Sequence, residues 1–589
     1  MVKTERKLLA FLLILLSLVA IAPMLEGNYP LNHSTHFNLS WAFQYQKQFF
    51  GGQFYPRWLE YSNFGFGNAT FAFYPPICMV ATLPFRFLGL GLAGSLIGSM
   101  ALAIGFLGWG LYTYARYFYP LSIAATVAGV GMLSPYFMVD IYERGAIAEV
   151  WGITTLPWIL WASQRLVKQP KNSQNILLLA FIYGLLILSH LPTLLIFTCV
   201  WLFLPWFFGS WQGVKGCYGG FILACSWTAF YLLPVIGDRR FIQIDTFNTF
   251  TEYLPQHRLL LEISRNWAIK FSDHWFDQQL IVPWLSMLAV VSLGLVVQFC
   301  PRNRNTENIV AFWLFISLFA LLMTTSILAW VYQLLVPLQQ IQFSWRWLSL
   351  ATVTIPLLLG YLLHQAGAKL SDAITLTQPL SLPVSFSLLS TWGLSVATWS
   401  LVIITILQGV KVTQRADYQP EAIAHFASLA AAKKFPGEPH QGLGTRLMDW
   451  HYVFSDGLAL VDVPEYRAKE ATLAMPPQQF YPLLAWKDGT ETNLTIKNWD
   501  YGLRQFEANN LTSAPRQVRL RTFYYPGWQI KIDGEKVPTK ASSSGQLEVS
   551  IPPGKHQVKI FYRGTLMYLV GRVITLLTTL GCVIKSLNQ

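Results

Sequence analysis

Apolar runs close to the ~20 residues needed to cross a hydrocarbon layer recur along this chain, separated by short polar stretches. No soluble core absorbs so many, so the bilayer is the solvent that decides the fold. Only 12% of the 589 residues are charged and 53% are hydrophobic, too little charge to coat a soluble protein of this size. The formal net charge of +13 would suggest nucleic acid in a soluble chain. In a membrane chain it becomes a question of which side the cations occupy, and no nucleic-acid partner is expected.

The first run, Leu8 to Pro23, follows Lys3, Arg6 and Lys7, and APMLEGNYP makes a poor signal-peptide cleavage site, so it is expected to stay as a span with its N-terminus in the cytoplasm. Further spans are predicted at Gly91–Ala115, Leu121–Val139, Val150–Leu166, Asn175–Leu188, Pro192–Phe208 and Cys217–Ile236. The series continues with Leu280–Phe299, Ile309–Val331, Leu348–His364, Pro383–Leu407 and Leu566–Ile584, which makes about 12 in all. The apolar stretch Ile77–Phe87 is short and proline-bracketed, and is predicted to lie on the outer surface. This parity puts Lys3, Arg6, Lys7, Arg116, Arg165, Lys168, Lys171, Lys215, Arg302, Arg304, Lys369 and Lys585 on the cytoplasmic side, as the positive-inside rule asks. Both termini are then cytoplasmic.

The expected fold class is a polytopic α-helical membrane protein with an extracytoplasmic β-rich module before its last span. Its transmembrane domain covers 1–407, with outer loops at 26–90, 140–149, 237–279 and 332–347. An α/β module follows at 408–563 and a final transmembrane helix at 564–589. The module opens on a helix-like run, EAIAHFASLAAAKKF, and its second half, QVRLRTFYYPGWQIKIDG and GQLEVSIPPGKHQVKIFYRG, alternates with period two around Pro526-Gly527 and Asp533-Gly534 turns. The six cysteines have no CxxC or metal spacing and read as packing residues. The loop Asn32–Pro76 is too polar to span a bilayer and too aromatic for ordinary solvent, so it is placed in water at the membrane surface as the roof of an active site.

Several phrases together, His36 with YPRW at Tyr55–Trp58, GFG at Gly65–Gly67, FYPP at Phe73–Pro76, YERGAIAE at Tyr142–Glu149, LSHLPT at Leu188–Thr193, IQFSWRW at Ile341–Trp347 and YYPGWQIKIDG at Tyr524–Gly534, resemble bacterial membrane proteins named 6-pyruvoyl-tetrahydropterin-synthase-related. Those in turn are similar to GT-C glycosyltransferases, which use polyprenyl-phosphate-linked sugars. The resemblance implies a bacterial cytoplasmic-membrane enzyme that moves a sugar from a lipid phosphate, with inversion, using acidic groups in the first two outer loops. The pterin part of the name carries little weight, because the ten histidines are scattered. Relatives place an Asp four residues before the first-loop His; here that position is Asn32, whose amide cannot take a proton.

Within that expectation, Asp140 and Glu143 are the candidate bases, sharing a face if their segment is helical. The bland alternative is that they solvate a loop and pair with Arg144. Arg57, Arg144 and Arg346 lie in separate outer loops beside aromatics and are candidates for phosphate, which guanidinium grips in a fork; an interfacial anchor is the alternative. Glu149, His36, His190 and Trp58 are candidate substrate contacts, against satisfied interfacial residues. Arg572, Trp345 and Trp347 are weaker candidates. No metal-ligand cluster is visible and no cofactor is assigned, with a divalent metal left open. The expected partners are membrane lipid, a polyprenyl-phosphate sugar donor and a glycan, lipid or protein acceptor. A lipid-linked-sugar flippase or a non-catalytic envelope scaffold are the alternatives. The catalytic expectation needs the segments before Pro76, around Tyr142 and around Trp345 to converge beneath the β module.

Overall fold

The computed structural model describes residues 3–205, 211–244, 254–264, 266, 268–298, 307–375, 382–421, 423–424, 439–441, 452–454, 462–475, 477, 481–500 and 502–587. Arg302, Arg304, Cys300 and most of the helix-like run after Glu421 lie outside the described residues. The chain forms two compact units. The first comprises Met1–His33, Ile97–Ala224 and Phe250–Tyr418, and the second Ser34–Leu96, Cys225–Thr249 and Gln419–Gln589.

Seven helices among the described residues are long and apolar enough to cross a membrane: Lys7–Glu26, Leu92–Ala115, Leu121–Arg144, Trp275–Gln298, Ser344–Ala368, Trp392–Thr413 and Leu566–Ile584. The count becomes eight if the bent pair Trp211–Trp227 and Ala229–Gly237 is one span, and about 12 is not reached. The difference lies in length and polarity. The expected spans in 175–208 and 309–331 form helices Ser173–Ile187, Leu191–Trp201 and Glu307–Leu322, of 15, 11 and 16 residues. Helix Ile147–Lys168 has the length, at 22 residues, but carries Glu149, Arg165 and Lys168. The predicted surface helix is two short pieces, Ile77–Val80 and Leu83–Phe87.

In the first unit the helix Leu348–Thr375 is central. It packs on Leu121–Met132, Ile147–Lys168, Trp275–Gln298, Glu307–Leu322 and Leu382–Thr413, and 94% of its most apolar window is buried. A helix surrounded this way can carry small hydroxyls inward if they find partners: Ser317 Oγ and Thr354 Oγ1 meet at 2.6 Å.

The second unit holds an antiparallel β-sandwich. We number its strands β1 (Leu484–Trp486), β2 (Leu494–Asp500), β3 (Leu503–Asn510), β4 (Arg516–Phe523), β5 (Trp528–Ile532), β6 (Glu535–Val537), β7 (Lys540–Ala541), β8 (Gln546–Ile551) and β9 (Gly554–Tyr562). One sheet has the order β6-β5-β9-β3-β2 and the other β7-β8-β4-β1. Alternate residues of both sheets, among them Phe506, Val518, Ile530, Val549 and Ile560, form one core. Trp58, Phe64, Phe66 and Phe73 of the first loop belong to that same core. The loop's aromatics are therefore drawn into a protein interior as well as suited to an interface. Gly67 makes this possible: its φ is +81°, and a Cβ there would lie 2.2 Å from Trp58 Nε1.

Candidate functional site

The first unit gathers its buried charges where the predicted second outer loop was placed. Leu133 ends one helix, Ser134-Pro135 starts the next, and Pro135–Val139 runs into a π-turn, Asp140–Arg144. Gly145 closes it with φ +65°, its N–H donating to Asp140 O. The segment is thus helical and buried, where a solvated loop was the alternative; Asp140 and Glu149 are fully buried.

A π-turn is wider than an α-turn, so residues three apart rotate further from one another. Asp140 and Glu143, expected on one face, accordingly meet different partners. Asp140 Oδ1 pairs with Arg144, while Oδ2 is buried and has no hydrogen-bond partner. Glu143 faces Arg415 at 3.8 Å. The turn also leaves carbonyls unserved within the helix. Asn32 Nδ2 lies 3.5 Å from Ile141 O, and His33 N donates to Glu143 O at 3.3 Å. A Cβ on Gly145 would sit 2.1 Å from Asn32 Oδ1, so glycine is required by both its φ and this contact. At position 32 an amide offers the turn a donor that an ionised carboxylate lacks.

Arg144 also donates to Glu149 Oε2 at 2.9 Å and reaches Tyr136 Oη at 3.4 Å, while Tyr136 donates to Glu149 Oε1 at 2.6 Å. Arg346, from the four-residue turn Ser344–Trp347, brings Nε to 3.3 Å from Glu149 Oε2 and donates through Nη1 to Ile341 O and Gln342 Oε1. Two carboxylates and two guanidiniums thus share one buried cluster. Arg144 ends the candidate span Leu121–Arg144 and Ser344 begins the next of these two, Ser344–Ala368. Burial opposes ionisation of Glu149, but Arg144 and Arg346 outweigh it and hold its carboxyl at about 2.

His190 caps the helix Leu191–Trp201, its Nδ1 accepting from Thr193 N at 3.3 Å. A nitrogen that accepts carries no proton, so the neutral ring is protonated on Nε2. Burial, helped by Arg346 and Arg144, pushes the ring down to about 3, only partly offset by Glu149.

Sequence reasoning missed the support behind this cluster. The face of Trp345 carries the Arg144 guanidinium at 4.2 Å, and the ring also packs against Phe343, stacked at 4.6 Å, and Phe276 at 5.1 Å. Trp345 Nε1 donates to Asp277 Oδ1 at 3.1 Å, and Asp277, fully buried, is held by Arg258 at 2.9 Å and Ser272 Oγ at 2.9 Å. An acid in the first turn of an apolar helix is the signal that would have found Asp277.

The remaining candidates, Arg57, Trp58 and His36, lie in the second unit. Arg57 Nη2 donates to Phe230 O at 2.6 Å, and its guanidinium sits 3.3 Å from the centre of the Tyr568 ring. The cause is Pro234, which has no N–H to offer the carbonyl four residues earlier. Trp58 is 4% exposed, edge-on to Trp528 at 5.4 Å. His36 is buried beside Phe37. Arg572 lies 5.3 Å from the Tyr568 ring centre. A further buried pair, Arg504–Glu60 at 3.2 Å, ties the sandwich to the first loop, and burial raises the Glu60 carboxyl despite Arg504. Among the described residues no group of three or more His, Cys, Asp or Glu is placed to hold a metal ion.

No family model matches the chain, so the 6-pyruvoyl-tetrahydropterin-synthase-related label finds no support there. No curated protein matches its sequence. Among solved structures it aligns with the apo oligosaccharyltransferase of Archaeoglobus fulgidus at 11% identity and TM-score 0.46, over 72% of this chain and 57% of that one. ArnT from Cupriavidus metallidurans aligns at 15% identity and TM-score 0.39, over 73% and 81%. Arabinofuranosyltransferase AftD from Mycobacteria aligns at 15% identity and TM-score 0.42, over 80% and 31%. The chain spans little more than half of the archaeal protein (57%) and under a third of the mycobacterial one (31%), and at these scores the likeness carries no argument about chemistry.

Proposed function

We propose that this chain is a membrane glycosyltransferase of GT-C type that moves a sugar from a polyprenyl-phosphate carrier to an acceptor outside the cytoplasmic membrane. The observation that carries the proposal is the buried cluster of Asp140, Arg144, Glu149 and Arg346 at the ends of two candidate spans, with Asp140 Oδ2 unpartnered. Ionisable groups buried at the ends of apolar spans are expensive and are kept for substrates, protons or ions. The reaction class rests on the resemblance of the sequence phrases to membrane proteins that are in turn similar to GT-C glycosyltransferases.

In the proposed reaction the acceptor hydroxyl attacks the anomeric carbon and the bond from that carbon to the phosphate oxygen breaks. The hydroxyl proton passes to Asp140, with Glu143 the alternative base. The phosphate leaves with the bonding electron pair and is met by Arg346 and Arg144. Arg144 holds the Asp140 carboxyl group through Oδ1, and Oδ2, which has no hydrogen-bond partner, is the oxygen that takes the proton in this scheme. His190, neutral and protonated on Nε2, can donate to a sugar or phosphate oxygen.

Charge arithmetic gives a sharp test. Two carboxyl groups already occupy the two guanidiniums, so an incoming phosphate competes with Asp140 and Glu149 for Arg144 and Arg346. With purified protein and a labelled polyprenyl-phosphate sugar, Asp140→Asn should lose transfer while binding the lipid phosphate more tightly. Glu143→Gln should keep transfer if Asp140 is the base. Transfer untouched by both changes would remove the base from this turn. Lipid crossing vesicles without a new glycosidic bond would replace the enzyme with a flippase, and neither activity would leave a scaffold.

A further inference from the structure

The outer face of the five-stranded sheet carries a row that crosses every strand. Register places Lys536 opposite Lys531, Lys531 opposite Lys559, Lys559 opposite Gln505 and Gln505 opposite Asn498. The three lysines are exposed. Like charges directly opposite one another on neighbouring strands destabilise a sheet. A lysine on an edge strand is a familiar guard against unwanted strand pairing, which accounts for Lys536 on β6. It does not account for Lys531 and Lys559, which sit on the interior strands β5 and β9. Nearby Lys497 and Lys555 share the Glu507 carboxylate. Among the described residues no acid pairs with Lys531, Lys536 or Lys559.

Strand β9 ends at Tyr562, and the apolar helix begins at Leu566, with only 563–565 between them. Lys559 is therefore within about 25 Å of chain contour from the start of that helix. The headgroup zone extends roughly 5–7 Å beyond the hydrocarbon, and surface charge is felt for about 8 Å further. The chain's own topology thus tethers this face within about 25 Å of the membrane, against a reach of roughly 13–15 Å for headgroups and their field, so the sheet has only to tilt toward the bilayer to meet it. We infer that the row Lys536–Lys531–Lys559, with Gln505 and Asn498, is a docking face for anionic phospholipid headgroups of the bilayer that the last helix enters. Ammonium groups meet phosphate oxygens as point charges, and the two amides donate beside them. The sheet then leans on the membrane in an orientation set by lipid charge and salt. This does not depend on the enzymatic proposal.

The test uses the full chain in nanodiscs of zwitterionic lipid alone or with a third of phosphatidylglycerol. Amine labelling at each lysine is followed by mass spectrometry, with exposed Lys487 as the internal control. A juxtamembrane lysine gains about fivefold in affinity near an anionic surface. Labelling of Lys531, Lys536 and Lys559 should therefore slow about fivefold with the anionic lipid, recover in 0.5 M salt, and leave Lys487 unchanged. Equal labelling in both lipids would overturn the inference. So would protection of the three by soluble heparin with none from the anionic lipid, since the occupant would then be a soluble polyanion. The variant K531Q/K536Q/K559Q relieves repulsion and should fold at least as well as the parent. Its neighbours Lys497 and Lys555 should lose whatever lipid-dependent slowing they show in the parent; if they keep it, the row is not what holds the face to the membrane.

Discussion

Replacing Glu149 by Gln isolates what the buried cluster is worth. The side chain keeps its shape and one carbonyl oxygen, but two guanidiniums, Arg144 at 2.9 Å and Arg346 at 3.3 Å, lose their shared anion. At an effective dielectric constant of ~20 each contact is about 5 kcal/mol of attraction before desolvation, and breaking one partner of a buried pair typically costs about 3–5 kcal/mol. Glu149→Gln should therefore lose about 3–5 kcal/mol of stability at neutral pH. Arg346→Met should cost a similar amount, since it also abandons Ile341 O and Gln342 Oε1. In the double variant the surplus cation is gone, so the losses should fall short of additive by about 1–3 kcal/mol. The measurement is a denaturant titration of the parent, both singles and the double in one detergent, read by tryptophan fluorescence. Acid gives a second handle. The folded carboxyl sits at about 2, below its ordinary 4.5, so its contribution is full above pH 4.5 and fades as pH falls toward 2. Glu149→Gln should flatten that part of the stability profile. Additivity of the two substitutions within about 0.5 kcal/mol would refute the shared-anion account.

Gly145→Ala should destabilise by about 1–2 kcal/mol from its positive φ alone, with a further loss from the Asn32 contact; Asn32→Ala should relieve only the second part, in the same titration. Arg57→Met strands Phe230 O, at about 1–3 kcal/mol, and Pro234→Ala should recover part of it by restoring an N–H four residues on; no recovery would mean that Arg57 acts elsewhere. Gly67→Ala drives a methyl into the Trp58 indole, and should disorder the sandwich core as seen by faster hydrogen exchange in strands β4 and β5 while the helix Leu348–Thr375 keeps its protection.

Period-two alternation and the Asp533-Gly534 turn made the sandwich legible in the sequence, because strand burial follows a local rule: Arg504, Phe506 and Ala508 point inward while Gln505, Glu507 and Asn509 point outward. Length and hydropathy made most spans legible as well. They decide less where helices are short, as at Leu191–Trp201, because a helix packed among others need not match the bilayer thickness. The pairing within 140–149 was half legible. Arg144 with Asp140 follows from a spacing of four, but a π-turn has no marker in the sequence, so the separation of Asp140 from Glu143 did not. Arg504 with Glu60 and Trp345 with Asp277 join residues 444 and 68 positions apart, and no local pattern announces such partners. Glu60 in particular reads as one more polar residue in an aromatic loop until the sandwich closes around it.

The cluster at Asp140 asks for a reason beyond stability. A buried ion pair is poor value as a structural device, since well-packed apolar residues of similar volume do as well or better. This chain has the alternative to hand, because the surrounding residues Tyr136, Phe137, Val139, Ile147 and Trp345 are buried and mostly apolar. It instead concentrates four ionisable groups where two spans meet, braces one of them on the Trp345 face, and anchors that indole through Asp277 to a second buried ion pair. Such bracing fixes orientation, and orientation is what proton transfer and phosphate recognition need and what simple burial does not. A purely structural cluster would tolerate joint replacement by apolar residues; a working one would keep the fold and lose the reaction. The variant D140L/R144M/E149L/R346M separates the two, because in both cases the protein should fold, and only in the second should transfer from the lipid phosphate disappear.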